Sequence, residues 1–363
     1  MASVVKSIRV RAVSVPLRLP IVSSVGRYDE WPVLLVDVHT CNGIVGHSYL
    51  EPYTTPSLRP LAHLVQAIGD KVAGKPLAPL DIFKDAMSSL HLGGRQGMSL
   101  LAASAVDMAV WDARAKEAGL PLVTLLGGSP GKVRAYNTCG LWLIPLTDLA
   151  EQARELVDRG GFSAIKLRLG RRTAAEDRAA IHTVREAVGE QVHIMTDFNQ
   201  VLTAAEAKLR MHALDNEGLY WYEEPIVYDD LRTCARLTSG LRTPVMVGEN
   251  IYGSREWLRA IREEASDLLM ADIGRIGGVT GWLRASALAG AAGVPISNHF
   301  YAPLSATLLR VAESADWLEW SDWVSPILRH KYDASDGFVE VRDVPGSGVE
   351  WDEEKVTEYQ IQL

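Results

Sequence analysis

The chain has 363 residues, 47% hydrophobic and 23% charged, a balance that suits a soluble barrel with a smaller added domain and excludes extended disorder. A net charge of −8 argues against a general nucleic-acid or anionic-membrane binder, since both need a basic surface. Cys41, Cys139 and Cys234 form no CxxC pair and read as reduced thiols.

In chain order, the first segment alternates apolar and polar residues and lacks the continuous apolar core of a signal peptide. No run of about 18 apolar residues follows anywhere, and none of the six asparagines begins an N-x-S/T sequon. A cytoplasmic enzyme is the expectation. Alternation over 7–17, 33–40 and 44–50 predicts antiparallel strands, the last two joined at Cys41-Asn42-Gly43. Spacings of three and four predict helices over 61–72 and 99–118, with Gly119 at a C-cap. Together they predict an N-terminal α+β capping domain over 1–127, closed by the glycine-rich stretch Gly127-Gly128-Ser129-Pro130-Gly131.

Strand-like runs then recur at 133–139, 164–169, 193–197, 219–223, 245–249, 268–272, 294–299 and 317–319. Amphipathic, alanine-rich stretches lie between most of them, among them 149–159, 174–188 and 281–292. This series predicts an α/β fold, a modified (β/α)8 TIM barrel of (β/α)7β type over 128–324, because no eighth helix follows the last run. The Pro/Gly-rich tail over 325–363 is expected to pack back on the N-terminal domain.

Three of these runs close on or beside an acid: Asp197, Glu223 and Glu249, evenly spaced 26 residues apart. One strand-loop-helix unit takes about that length, and equivalent strand ends of a parallel barrel meet on one face. Three carboxylates gathered there need a cation, and all-oxygen ligation suits Mg²⁺. Neighbouring strand ends carry Lys166 and Arg168, which alternation points to one side, then Asp272, His299 and Glu319. A histidine beside a carboxylate is a base of fixed tautomer. Metal, cation and base together point to removal of a proton next to a carboxylate, with the developing enediolate stabilised electrostatically.

The chain resembles the enolase superfamily, mandelate racemase subgroup (mandelate racemase/muconate lactonizing enzyme-like), over essentially its full length. The matching stretches are Ala103 to Ala109, Pro121, Leu125-Leu126-Gly127, Asp197-Phe198-Asn199-Gln200, Glu223-Glu224-Pro225, Gly248-Glu249-Asn250, Ile276 to Trp282 and Ser297-Asn298-His299. The resemblance implies that Asp197, Glu223 and Glu249 bind Mg²⁺ and that Asp272 and His299 form the catalytic dyad. It also implies that Glu319 hydrogen-bonds the substrate carboxylate as an acid and that Lys166 lies against that carboxylate and the metal. A small-molecule carboxylate as partner and a homo-oligomeric assembly are expected with it.

Arg168 departs from the family, in which mandelate racemase has a lysine serving as a second base. Arginine stays protonated, with a pKa above about 12, so it reads first as a cation holding the carboxylate and metal environment, with acid/base duty as the alternative. Members with only the His-Asp pair are typically acid-sugar dehydratases. A Mg²⁺-dependent hydro-lyase acting on a polar hydroxy acid or acid sugar is therefore the first expectation. A racemase or epimerase of an α-hydroxy acid is the alternative, and a non-catalytic metal-binding homologue the last. Residues 25–31 read as a loop over the barrel mouth, presenting Arg27, Tyr28, Asp29 and Glu30, with Glu51 and Tyr53 in a second segment. Such a cap would prefer hydroxyls, or a cation near Glu51. Thr138, at the end of the first barrel strand, and Asn199 complete the expected substrate contacts.

Overall fold

Period-two alternation at the start of the chain produces a long antiparallel hairpin. β1 (Val5–Ser23) pairs with β2 (Gly26–Thr40), and β2 pairs onward with β3 (Val45–Leu50). The computed structural model describes residues 3–23 and 26–363, so Val25, at the head of the expected loop, lies outside the described residues. The rest of that segment is strand rather than loop: Tyr28 pairs with Ile21 and Trp31 with Val15. Its charged residues lie at the exposed start of the strand, with Arg27, Asp29 and Glu30 exposed, and burial begins at Trp31.

Helices α1 (Leu58–Val72), α2 (Pro79–Ser89) and α3 (Met98–Ala118) pack against this sheet and one another, and the short α4 (Leu122–Leu125) follows. α3 crosses β3 so closely that a Cβ on Gly46 would lie 2.0 Å from the Ala109 carbonyl oxygen. Gly119 ends α3 in the left-handed region, at φ +67°, as a C-cap requires.

The second part alternates strand and helix. In order come β4 (Gly131–Asn137), α5 (Leu146–Asp158), β5 (Ala164–Arg168), α6 (Ala174–Val188), β6 (His193–Asp197), α7 (Ala204–Leu214) and β7 (Tyr222–Glu223). There follow α8 (Leu231–Gly240), β8 (Val245–Val247), α9 (Gly253–Arg262), β9 (Leu268–Asp272), α10 (Ile273–Ile276), α11 (Gly278–Ala292), β10 (Ile296–His299), α12 (Ala302–Leu309) and β11 (Leu318–Trp320). The strands are parallel neighbours in sequence order from β4 to β10, and β11 pairs with β4. The ring is joined between β10 and β11 by the Ile296–Ala315 bridge and by the Asn298 side chain, which bonds the backbone of Glu319. Inside the barrel Tyr136, Met195, Trp221, Met246 and Met270 pack together, so the interior is filled rather than open.

β8 stops before its carboxylate for a local reason. Gly248 adopts φ +138°, and a Cβ there would meet the Met270 carbonyl oxygen at 2.5 Å, so the backbone turns away and Glu249 leaves the strand. After β11 no helix closes the last unit. β12 (Phe338–Val341) instead pairs antiparallel with β4, and α13 (Glu353–Tyr359) leads into β13 (Gln360–Ile361), which pairs with β1. The tail is tied to the first sheet by polar bonds as well: Trp351 Nε1 donates to Asp37 at 2.6 Å, and Arg11 bridges Asp37 and Glu353. No helix among the described residues is long and apolar enough to cross a membrane.

Candidate active site

Each acid of the evenly spaced set arrives at the C-terminal end of its strand. Asp197 ends β6, Glu223 ends β7 and Glu249 follows β8; all three are buried, with one oxygen of each lying within 4.8 Å of the others. Asp197 is held by Asn199, which donates from its backbone N (2.7 Å) and its Nδ2 (2.8 Å). Glu223 accepts from Lys166 Nζ at 2.9 Å and Glu249 from Asn250 Nδ2 at 3.0 Å. A fourth buried acid, Glu224, stands behind them and accepts from Asn250 Nδ2 at 2.7 Å.

So many acids cannot all ionise in a dry pocket. Burial, reinforced by the neighbouring carboxylates, raises Glu223 well above the usual range and pushes Glu224 and Glu249 up to about 8. A hard dication placed among Asp197, Glu223 and Glu249 would relieve that repulsion, and an all-carboxylate set is the donor chemistry such an ion takes.

Lys166 is the cation that the chain itself provides. Its Nζ lies 2.6 Å from Glu319 Oε1 and 3.8 Å from Asp197 Oδ2 as well as bonding Glu223. Burial works against its charge, but Glu223, Glu319 and Asp197 outweigh burial and raise its pKa. Burial pushes Glu319 up, while Lys166 and His299 pull it down further, to about 2. Glu319 is thus held as a carboxylate here, and donating a hydrogen bond to substrate requires it first to take up a proton.

His299, at the end of β10, places Nδ1 2.8 Å from Asp272 Oδ2 at the end of β9. Its Nε2 lies 3.2 Å from Tyr53 Oη and 3.4 Å from Glu249 Oε2. Asp272 also caps α10 by accepting from Arg275 N at 2.9 Å, and the guanidinium of Arg275 reaches the Glu249 carbonyl at 3.0 Å. Several residues of the mouth sit in the left-handed region without being glycine: Tyr53, Asn199, Gln200, Glu224 and Phe300. Such strain gathers where surrounding contacts fix side-chain direction.

These groups open on one cavity of about 350 Å³ between the hairpin and the barrel mouth, lined by Lys166, Arg168, Asp197, Asn199, Glu249 and His299 among others. Much of its remaining wall is aromatic, from Tyr28, Trp31, Tyr53, Trp142, Phe300 and Trp323, with Gln200, Asn250 and Arg275 between them. Three expected substrate contacts do not line it. Arg27 is exposed near the start of β2, where it pairs with Asp29 at 2.7 Å. Glu51 is turned into the protein, accepting from Trp31 Nε1 at 2.7 Å and from Tyr301 N at 3.3 Å, with no cation beside it among the described residues. Thr138 spends its carbonyl and hydroxyl on Arg168, at 2.8 and 2.6 Å.

Arg168 also departs from its expected place. Among the described residues it has no carboxylate partner; it bonds the carbonyls of Thr138 and Gly140 and stacks 3.7 Å from the Trp142 ring centroid, leaving its buried Nε unpaired. It ends β5 level with Asp197, and its guanidinium turns toward the segment after β4. Sequence reasoning does not single out Arg275, Glu224, Asn250 or the tryptophans as site residues. Arg275 has a signal, three residues after Asp272 where a capped helix begins, whereas Trp142 and Trp323 depend on loop paths that no periodicity encodes.

Two family models cover the chain: the "Mandelate racemase / muconate lactonizing enzyme, N-terminal domain" over residues 5–127 and "Enolase C-terminal domain-like" over 148–355. The chain belongs to the mandelate racemase/muconate lactonizing enzyme family. Among curated members, L-talarate/galactarate dehydratase of Salmonella typhimurium is 32% identical over 88% of this chain and 80% of its own length. Among solved structures of the enolase type, one from alpha proteobacterium BAL199 with bound magnesium is 44% identical, with TM-score 0.97 over 99% of this chain and 100% of that one. Another, from Bradyrhizobium and complexed with magnesium and mandelic acid, is 38% identical, with TM-score 0.95 over 100% of this chain and 99% of that one.

Proposed function

We propose that this family member removes the α-proton of a hydroxy-carboxylate with Mg²⁺ held by Asp197, Glu223 and Glu249, and that its first reaction is dehydration. The observation that carries this reading is the meeting of a buried carboxylate trio, a Lys166–Glu319 pair and a His299–Asp272 pair beside one cavity, which Asp197, Glu249, Lys166 and His299 line. The talarate/galactarate dehydratase relative and the magnesium in the related structures support it.

Bound at the trio, Mg²⁺ would supply positive charge to the substrate carboxylate as the α-proton leaves. Asp272 keeps the hydrogen of His299 on Nδ1 and stabilises the imidazolium, so Nε2 is the nitrogen that accepts the proton. The C–H pair moves into the enediolate, whose charge Lys166 faces from the end of β5. The enediolate then expels the β-hydroxyl, which takes the imidazolium proton and leaves as water; the carboxylate is restored, and the enol formed between the α- and β-carbons tautomerises to the 2-keto acid. Arg168 cannot take a proton from the other face, which limits the enzyme to one α-epimer.

The aromatic wall favours a second reading, racemisation or epimerisation of an α-hydroxy acid that carries an apolar group; the mandelic acid bound by the Bradyrhizobium relative accords with it. A screen of hydroxy acids and acid sugars with Mg²⁺, followed for 2-keto product and for α-deuterium uptake, separates the two. Keto acid from one epimer supports dehydration; interconversion of both epimers without loss of water replaces it with the second reading.

A further inference from the structure

The lone pair of the base already has an occupant from the protein. Asp272 accepts at His299 Nδ1, so in the base form of the ring Nε2 is an acceptor. The phenol of Tyr53, whose Oη lies 3.2 Å away, is placed to donate to it. Glu249 Oε2 stands farther off, at 3.4 Å.

Tyr53 is held there from several sides. Arg275 Nη1 is 3.4 Å from its hydroxyl and the guanidinium lies 5.1 Å from its ring centroid. Trp31 and Phe300 pack at 5.4 and 5.5 Å, and the backbone of Tyr53 is in the left-handed region at φ +63°. Burial raises the phenol well above its usual pKa of 10, so it remains a donor.

An α-carbon that gives its proton to Nε2 must stand where Tyr53 Oη stands. The α-hydroxyl oxygen, one bond from that carbon, then arrives beside the displaced phenol. We propose that Tyr53 is a specificity-determining placeholder: its hydroxyl keeps the His299 lone pair engaged until substrate displaces it, then passes its hydrogen bond to the substrate α-hydroxyl. An acid lacking that hydroxyl displaces the phenol without giving it a partner and is bound less well. The inference rests on the α-proton-abstraction reading above and adds to it the group that recognises the carbon's own oxygen.

Tyr53→Phe keeps the ring and deletes the hydroxyl. On the Mg²⁺-loaded protein, calorimetry with mandelate and with phenylacetate, which lacks the α-hydroxyl, compares the two ligands. Mandelate affinity should fall about 10-fold in Tyr53→Phe and phenylacetate affinity stay within about 2-fold. The ¹⁵N resonance of His299 Nε2 in the ligand-free Mg²⁺ form should move toward that of an unbonded imidazole nitrogen. Equal weakening of both acids, or an unchanged Nε2 resonance, would overturn the proposal. Failure of the wild type to bind either acid counts against the aromatic-substrate reading, while the nitrogen resonance judges Tyr53 on its own.

Discussion

At Arg168 a guanidinium stands where a second base would be needed, and its surroundings explain why it is not simply a charged spare. Two carbonyls, a hydroxyl and the Trp142 ring fix it in place without a carboxylate. Arg168→Lys should therefore have two effects. The ammonium cannot reproduce the forked bonds and the stacking, so the fold should lose about 1–3 kcal/mol, read by chemical denaturation. If burial lowers the lysine's pKa, exchange of the α-proton on the opposite epimer should appear; unchanged stability together with continued single-epimer exchange would contradict this account of the residue. Among single residues, the meeting of Asp197, Glu223 and Glu249 is legible in the sequence because even spacing and parallel strands place like ends together. The directions of Arg27, Glu51 and Thr138 are not, because a one-residue change of register turns a side chain to the opposite face.

Between elements, the link that matters most runs from the end of β3 to the turn between β10 and α12. Glu51 accepts from Tyr301 N and its own N donates to Tyr301 Oη at 3.1 Å, while Trp31 on β2 is fixed by the same carboxylate. Burial raises Glu51 from 4.5 to about 7, against the lowering effect of its bonds to Trp31 and Tyr301. The unfolded chain then ionises before the folded one, so between about pH 4.5 and 7 rising pH erodes stability, by about 3 kcal/mol at most. Glu51→Gln removes the ionisation, and the stability of the variant relative to wild type should rise from pH 5 to pH 8 in denaturant titrations. Parallel curves across that range would show that Glu51 does not carry the cost. Element types are readable where the period is long: α3 and the barrel helices follow their spacing. The strand β8 stops short of its apolar run, since the backbone leaves the sheet at Gly248 to deliver Glu249. The segment 26–31 reads as a loop in the sequence because an exposed strand end, polar on both faces, and a polar loop share a composition.

For the molecule as a whole, the barrel carries the candidate reacting groups and the cavity wall is shared, with Tyr28, Trp31 and Tyr53 from the N-terminal part and Trp142, Phe300 and Trp323 from the barrel part. Alternation of strands and helices makes the barrel legible; the aromatic character of the cavity is not, because Trp31, Trp142 and Trp323 come from three separate segments that only the folded chain unites. The charged residues that suggest a polar cap face solvent or the protein interior instead. In the proposed reaction His299 alone, oriented by Asp272, takes the α-proton. The measurement is α-deuterium uptake in D₂O with Mg²⁺, on each epimer of a substrate that the wild type accepts, for wild type and His299→Asn. Uptake or turnover confined to one epimer, falling by about 10³-fold or more in the folded variant, is the predicted result. Uptake retained in His299→Asn would contradict it and place the base elsewhere.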